Sequence, residues 1–306
     1  MFYYTIKRIL QVIPVLFSIS VIVFLMLHLI PGDPAVASIG IEATAEQIER
    51  TRIELGLDQP LHIQFYRFVG NAVRGDLGTS MRTGRPVVNE IGKRYQYTII
   101  LAIGGTIFAT ILGIFAGIIS AINQNKFLDN FVMFLTLLAV STPSFWLALV
   151  LMLIFALHLG ILPAIGVSTP RHFILPIICL GAQSAGLIAR MTRSSMLEVL
   201  RQDYIRTARS KGLSERIVVI NHALKNASIP IVTVVGLRFG GLLAGTVLVE
   251  SVFSIPGIGR LVVDGILSRD YPMVQGAILV VASSFVVINV IVDLIYALID
   301  PRIKTS

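Results

Sequence analysis

Long apolar stretches alternate with short polar ones along this 306-residue chain. Six runs are long enough to cross a bilayer as helices, at 9–30, 98–122, 131–157, 173–189, 229–249 and 274–299. The pattern predicts an all-α polytopic membrane protein with six transmembrane helices. The fourth run carries Pro176, Gln183 and Ser184, so it is expected either to kink or to face a polar interior. The first run follows Lys7 and Arg8 as a signal peptide would, but it is too long for a signal core and is expected to remain as an uncleaved helix.

Composition agrees with lipid as the main solvent. Hydrophobic residues make up 55% of the chain and charged ones 14%, and the mean hydropathy is +0.83. The net charge of +8 does not form an aromatic-interleaved patch, so nucleic acid is not an expected partner. The basic residues instead follow the topology. Between Arg190 and Ser228 there are eight Lys and Arg against Glu198, Asp203 and Glu215, which places this loop, both termini and Lys126 in the cytoplasm by the positive-inside rule. A single cysteine, Cys179, allows no intrachain disulfide.

The expected organisation is a first helix over 1–30, an extracytoplasmic segment over 31–97 and a five-helix core over 98–306 that carries the loop 190–228. In the outer segment, Pro31-Gly32-Asp33-Pro34 predicts an abrupt turn and Thr44-Ala45-Glu46-Gln47 the start of a surface helix. The stretches Leu57–Pro60 and Gly75–Ser80 are turn-rich. A second outer loop, 158–172, is expected to be irregular, and a third, 250–272, to form a re-entrant or interfacial hairpin.

The loop 190–228 is the most informative part of the chain. From Asp203, an acidic N-cap, the residues Tyr204, Ile205, Arg206, Thr207, Ala208 and Arg209 lead to Lys211 and a stop at Gly212, which predicts a helix of about two turns. Two readings fit it: a docking surface for a soluble partner, or a solvated loop whose arginines only fix topology.

Catalytic chemistry is not in view. The five histidines are scattered without metal-ligand spacing, and there is neither a Gly-rich phosphate loop of the Gly-x-x-x-x-Gly-Lys-Ser/Thr type nor a Gly-x-Ser-x-Gly elbow. No metal site or cofactor is expected on this chain. The polar residues set in apolar runs are Arg238, Glu250 and Asp293, and Arg238 with Asp293 are the candidates for a translocation path. The pairs Gly113/Gly117, Gly236/Gly240 and Gly241/Gly245 are spaced for close helix approach, either within a bundle or at a subunit interface.

Several motifs carry a family resemblance. The segment Tyr204-Ile-Arg-Thr-Ala-Arg-Ser-Lys-Gly212, followed by His222-Ala-Leu-Lys-Asn-Ala-Ser-Ile-Pro230, resembles the Glu-Ala-Ala loop of ABC importer permeases in the variant of the peptide and nickel branch. Arg206-Thr207-Ala208 stands at the usual triplet, and Ile229-Pro230 comes five residues later than in the generic pattern. Pro31-Gly32-Asp33-Pro34, Leu55 to Leu61, Gly75-Asp76-Leu77-Gly78, Glu250 to Phe253, Pro256-Gly257-Ile258-Gly259 and Arg269-Asp270-Tyr271-Pro272 are similar to signatures of the first of the two permeases in such systems.

The resemblance implies a type I importer permease of the bacterial inner membrane, moving di- or oligopeptides, with glutathione or nickel as alternatives. It implies a second permease, two cytoplasmic ATP-binding subunits that hold ATP and Mg2+, and an extracytoplasmic solute-binding protein. The chain itself would then be no enzyme, and the helix from Asp203 to Lys211, ended by Gly212, would couple it to the ATPase, with Tyr204, Ile205 and Ala208 as the contact face and Arg206, Arg209 and Lys211 placed to pair with acidic groups. A channel or secondary transporter without an ATPase is the reading from another class, and it leaves the capped polar loop without a purpose.

Overall fold

The computed structural model describes residues 2–29, 35–36, 43–54 and 56–299. Among them the fold is all-α, with one isolated antiparallel bridge between Thr79 and Pro86. The Pro31–Pro34 turn, Arg302, Lys304 and the side chain of Asp293 lie outside the described residues. The chain divides into two compact units, one centred on Ile99–Ile255, the other formed by Phe2–Thr98 with Pro256–Val290.

In the second unit, α1 (Phe2–Leu29) meets α3 (Leu61–Val73) through aromatic rings. Phe65 packs edge-on to Phe17 and Phe24, with centroids 5.9 and 5.4 Å apart. Helix α2 (Ala45–Glu54) begins where the sequence predicts, closed by a reciprocal box in which the Thr44 N–H donates to Gln47 Oε1 and the Gln47 N–H to Thr44 Oγ1. Helix α3 falls between the two turn-rich stretches, where the sequence reading places no element. Leu61, Phe65, Phe68 and Ala72 recur at helical spacing, and Pro60 stands just ahead of the first turn.

The third outer loop also folds. Helix α10 (Ile258–Leu267) comes in chain order after α9 (Lys225–Val252) and before α11 (Tyr271–Ile299), where a hairpin is expected. Ile258 and Leu261 are buried with Val87, Ile91, Met273 and Ala277. Asp270, nearly fully buried, accepts hydrogen bonds from Ser80 Oγ and from the Met81 N–H at 3.1 Å, clasping the loop that the Thr79–Pro86 bridge closes.

The first unit is a helix bundle built on α7 (Ile174–Leu200), which packs against α5 (Phe127–Ser141), α6 (Ser144–Leu151) and α9. Among the described residues, four helices have the length and apolarity of membrane spans: α4 (Val87–Ile122), α7 with its leading turn, the helix entering α9, and α11. The third expected run is not one straight helix. Thr142-Pro143 breaks it between α5 and α6, with a bend of 108°, because proline removes an N–H and clashes with the preceding turn.

The fourth run does not kink. Pro176 sits in the first turn of α7, where a missing N–H costs nothing. Its polar residues face protein: Ser184 is buried, and Gln183 Nε2 donates to the Thr142 carbonyl at 2.7 Å. Cys179 Sγ reaches the Ser144 carbonyl at 3.1 Å. Backbone carbonyls near the break thus find donors on α7, which is how irregular backbone survives at membrane depth. Large apolar side chains such as Ile111, Phe115 and Leu137 remain exposed on the outer faces, as lipid-facing residues do.

Candidate functional site

The predicted helix is present as α8 (Asp203–Ser210). Its N-cap is Gln202, with extended backbone, so Asp203 is the first helical residue rather than the cap; its carboxylate still lies at the positive end of the helix dipole. At the other end Gly212 adopts φ +78°, a conformation that L side chains rarely adopt. Its N–H donates to the Arg209 carbonyl at 2.9 Å and the Leu213 N–H to the Ala208 carbonyl at 3.4 Å. Those two bonds form a Schellman closure, which satisfies carbonyls the helix would otherwise leave open.

The two faces of α8 differ. Ile205 is fully buried and Ala208 nearly so, in a cluster with Met196 of α7, Ala109 and Ala121 of α4, Val218, Val219 and Ala223 of the segment that follows, and Ala227 and Ile231 of α9. Tyr204, Arg206, Thr207, Ser210 and Lys211 are exposed. The face left open to a partner is therefore polar and basic, and of the expected contact face Tyr204, Ile205 and Ala208 only Tyr204 belongs to it, because the other two are buried in the chain's own core. Arg209 is already engaged, its guanidinium forking onto Glu215 at 2.7 and 3.3 Å, and Arg206 lies 3.7 Å from Asp203.

A wide helical turn, Val218–Leu224, then joins the short segment Glu215–Ile217 to α9. Because Ile205 and Ala208 are buried in a cluster that continues into α4, α7 and α9, with Val218–Leu224 as the segment α8 packs against, α8 is seated on the bundle rather than suspended from a loop.

A second cluster was not legible in the sequence. Asp129, in the first turn of α5, is almost completely buried. It accepts hydrogen bonds from Arg193 Nε and Nη2 of α7 at 2.8 and 2.7 Å, from Ser120 Oγ of α4, and from the Asn125 N–H at 2.9 Å. Arg193 lies 64 positions away in sequence, so no local period announces the pair.

The glycine pairs separate clearly. A Cβ on Gly113 would fall 2.7 Å from Ile188 Cβ, and one on Gly117 2.4 Å from Thr192 Cβ, so these residues set the approach of α4 to α7. A Cβ on Gly241 or Gly245 would meet nothing within 4 Å. These two lie on one stripe of α9 with Arg238, which is exposed, while Glu250 is fully buried.

Comparison with known proteins places the geometry. Residues 110–305 match the family described as binding-protein-dependent transport system inner membrane component, and residues 1–102 match the N-terminal family of the same membrane components. The chain is 48% identical over 301 residues, 98% of each chain, to the glutathione transport system permease protein GsiC of Escherichia coli O6:H1 strain CFT073. The same identity and coverage hold for the proteins of that name from Escherichia coli K12 and Shigella dysenteriae serotype 1.

Among solved structures, an inward-facing form of the MetNI methionine ABC transporter shares the fold with a TM-score of 0.59 at 16% identity, over 69% of this chain and 96% of that one. An amino acid ABC transporter with histidines gives 0.52 at 16% identity, over 70% and 94%. The family, the full-length relatives and the helical fold agree: this chain belongs to the binding-protein-dependent transport system inner membrane components, as a multi-pass permease subunit of an ABC importer of the peptide and nickel type.

Proposed function

We propose that this permease subunit passes short peptides, glutathione among them, into the cell, and that α8 is the surface on which a cytoplasmic ATPase subunit acts. The observation that carries the second part is the division of α8 into a buried anchor, Ile205 and Ala208, and an open basic face, Tyr204, Arg206, Thr207 and Lys211. A helix held this way transfers a push to the bundle instead of absorbing it. The substrate class rests on the 48% identity to the glutathione permeases across nearly the whole chain.

In this reading both termini and α8 face the cytoplasm, as the basic loop charges direct. Two ATP-binding subunits hold ATP and Mg2+, a second permease completes the pathway, and an extracytoplasmic solute-binding protein delivers the solute. The chain itself carries out no chemistry. The open stripe of Arg238, Gly241 and Gly245 is the part of α9 that faces the sister permease or the path, with Asp293 retained as its candidate partner.

The test is ATP-dependent uptake by cells with and without this chain, offered labelled glutathione, a dipeptide, a longer peptide and Ni2+. Loss of glutathione or dipeptide uptake supports the assignment. Loss of Ni2+ uptake alone overturns the substrate, and uptake that persists without ATP overturns the importer mechanism.

A further inference from the structure

Helices α4, α5 and α7 are fastened to one another at several levels. A Cβ on Gly186 of α7 would fall 2.7 Å from the Thr136 carbonyl oxygen of α5, and Gly113 and Gly117 of α4 meet α7 as closely. Toward the α8 end, the fastening becomes ionic. The Asp129 carboxylate gathers four donors from α4, the turn at Asn125 and α7, and leaves almost no surface to solvent. Met196, one helical turn beyond Arg193, is fully buried in the cluster that receives Ile205 and Ala208.

A displacement of α8 that carries α7 with it therefore meets Asp129 as the next fixed point. Close packing resists two helices being pressed together, but it resists sliding and separation weakly. A bidentate guanidinium–carboxylate pair fixes both distance and direction. In a mechanism that alternately pulls and pushes, this difference decides whether α5 follows.

We propose that Asp129 and Arg193 are positioning residues that make α5 move with α7 and α8, so that ATP hydrolysis stays matched to solute movement. The proposal rests on the docking role of α8 stated above. Loss of the pair would leave an importer that still binds its ATPase and still hydrolyses ATP, but whose α5, and with it the break at Thr142-Pro143, no longer follows the stroke.

The experiment uses the complete transporter in proteoliposomes. Nitroxide labels introduced by Glu198→Cys and Phe134→Cys occupy exposed positions on α7 and α5. Their separation is measured without nucleotide and with ATP trapped by vanadate, and glutathione uptake per ATP hydrolysed is measured in unlabelled vesicles. With the pair intact the separation is expected to stay the same in both states. In Arg193→Lys, which keeps the charge and loses the fork, and in Asp129→Asn, it is expected to differ between states. Uptake per ATP is then expected to fall by about fivefold or more.

A separation that changes equally with the pair intact, or variants with unchanged separation and unchanged ratio, would overturn the proposal. Should neither variant assemble, Ser120→Ala removes a single donor and keeps the ion pair. It should show the same changes in smaller degree, and its failure to assemble would assign the cluster to stability alone and overturn the proposal. Failure of the docking role is distinguishable, because Arg206→Glu with the Asp129–Arg193 pair intact would then co-purify the ATPase as well as the unaltered chain does.

Discussion

Gly117 of α4 and Thr192 of α7 approach so closely that a Cβ on the glycine would lie 2.4 Å from Thr192 Cβ and 2.6 Å from the Ala189 carbonyl oxygen. The second neighbour is backbone and cannot rotate away. Gly117→Ala is expected to lower stability by about 1–3 kcal/mol through overpacking. Gly245→Ala, with open space around it, is expected to leave the isolated chain within about 0.5 kcal/mol of the original. Thermal unfolding of the two purified variants in detergent compares them directly.

Gly212 is required for its backbone angle, not for room, since nothing lies within 4 Å of a Cβ placed there. Gly212→Ala forces an L residue into the left-handed region at a cost of about 1–2 kcal/mol. Gly212→Asn, which tolerates that region, is expected to be milder. Gly212→Arg adds a long cation beside the open face of α8 and is expected to abolish uptake while membrane insertion stays normal. Normal uptake by a properly inserted Gly212→Arg protein would remove α8 from the mechanism.

The two faces of α8 predict opposite phenotypes for adjacent residues. Ile205→Ala empties a fully buried site and is expected to cost about 2–4 kcal/mol, visible in the melting temperature. Arg206→Glu alters an exposed residue and is expected to leave the melting temperature unchanged. It should weaken co-purification of the ATPase, and the loss should shrink in high salt. A fall in melting temperature for Arg206→Glu would mean that the outer face also serves the fold.

Gln183 holds the bend between α5 and α6 through its bond to the Thr142 carbonyl. Gln183→Leu keeps the bulk but removes the donor, with an expected loss of about 1–3 kcal/mol. Gln183→Glu removes it too and adds a charge, so it is expected to be the worse of the two. Thermal unfolding of both variants tests the order.

Asp270 clasps the loop that bears Arg82. Asp270→Ala is expected to release that loop and speed tryptic cleavage after Arg82 several-fold, with cleavage elsewhere unchanged. Equal cleavage rates in the two proteins would show that the Thr79–Pro86 bridge holds the loop without help.

What could be read from the sequence divides by the range of the interaction. Helix α8 was legible because its signals are local: Asp203 at the start, cations at the end, Gly212 as the stop. The Thr44–Gln47 box was legible for the same reason. Helix α3 was obscured by the flanking turns at Leu57–Pro60 and Gly75–Ser80, although its own spacing was helical. The break at Thr142-Pro143 was hidden because an apolar run has the same composition whether it is straight or bent.

Other features belong to three dimensions alone. The inward turn of Ile205, in a segment otherwise read as surface, depends on Met196, Val218 and Ile231 arriving from other helices. The Asp129–Arg193 cluster joins residues 64 positions apart. The glycine pairs were visible as spacing, but only the neighbours of Gly113 and Gly117 separate a packed seam from the uncovered stripe at Gly241 and Gly245.

The wide helical turn at Val218–Leu224 bears on which changes of length this protein can accept. Adding or removing one residue in a helix rotates everything beyond it by about 100°. A π-type turn holds one residue more than an α turn, so deleting a single residue here lets the segment close to α-helix and keeps Ala227, Ile231 and the stripe of Arg238, Gly241 and Gly245 near their bearing, whereas the same deletion in the α-helical part of α9 would turn the stripe away. Relatives are therefore expected to differ by a single residue in this segment more readily than within α9, where the length is held fixed by the register of the residues beyond.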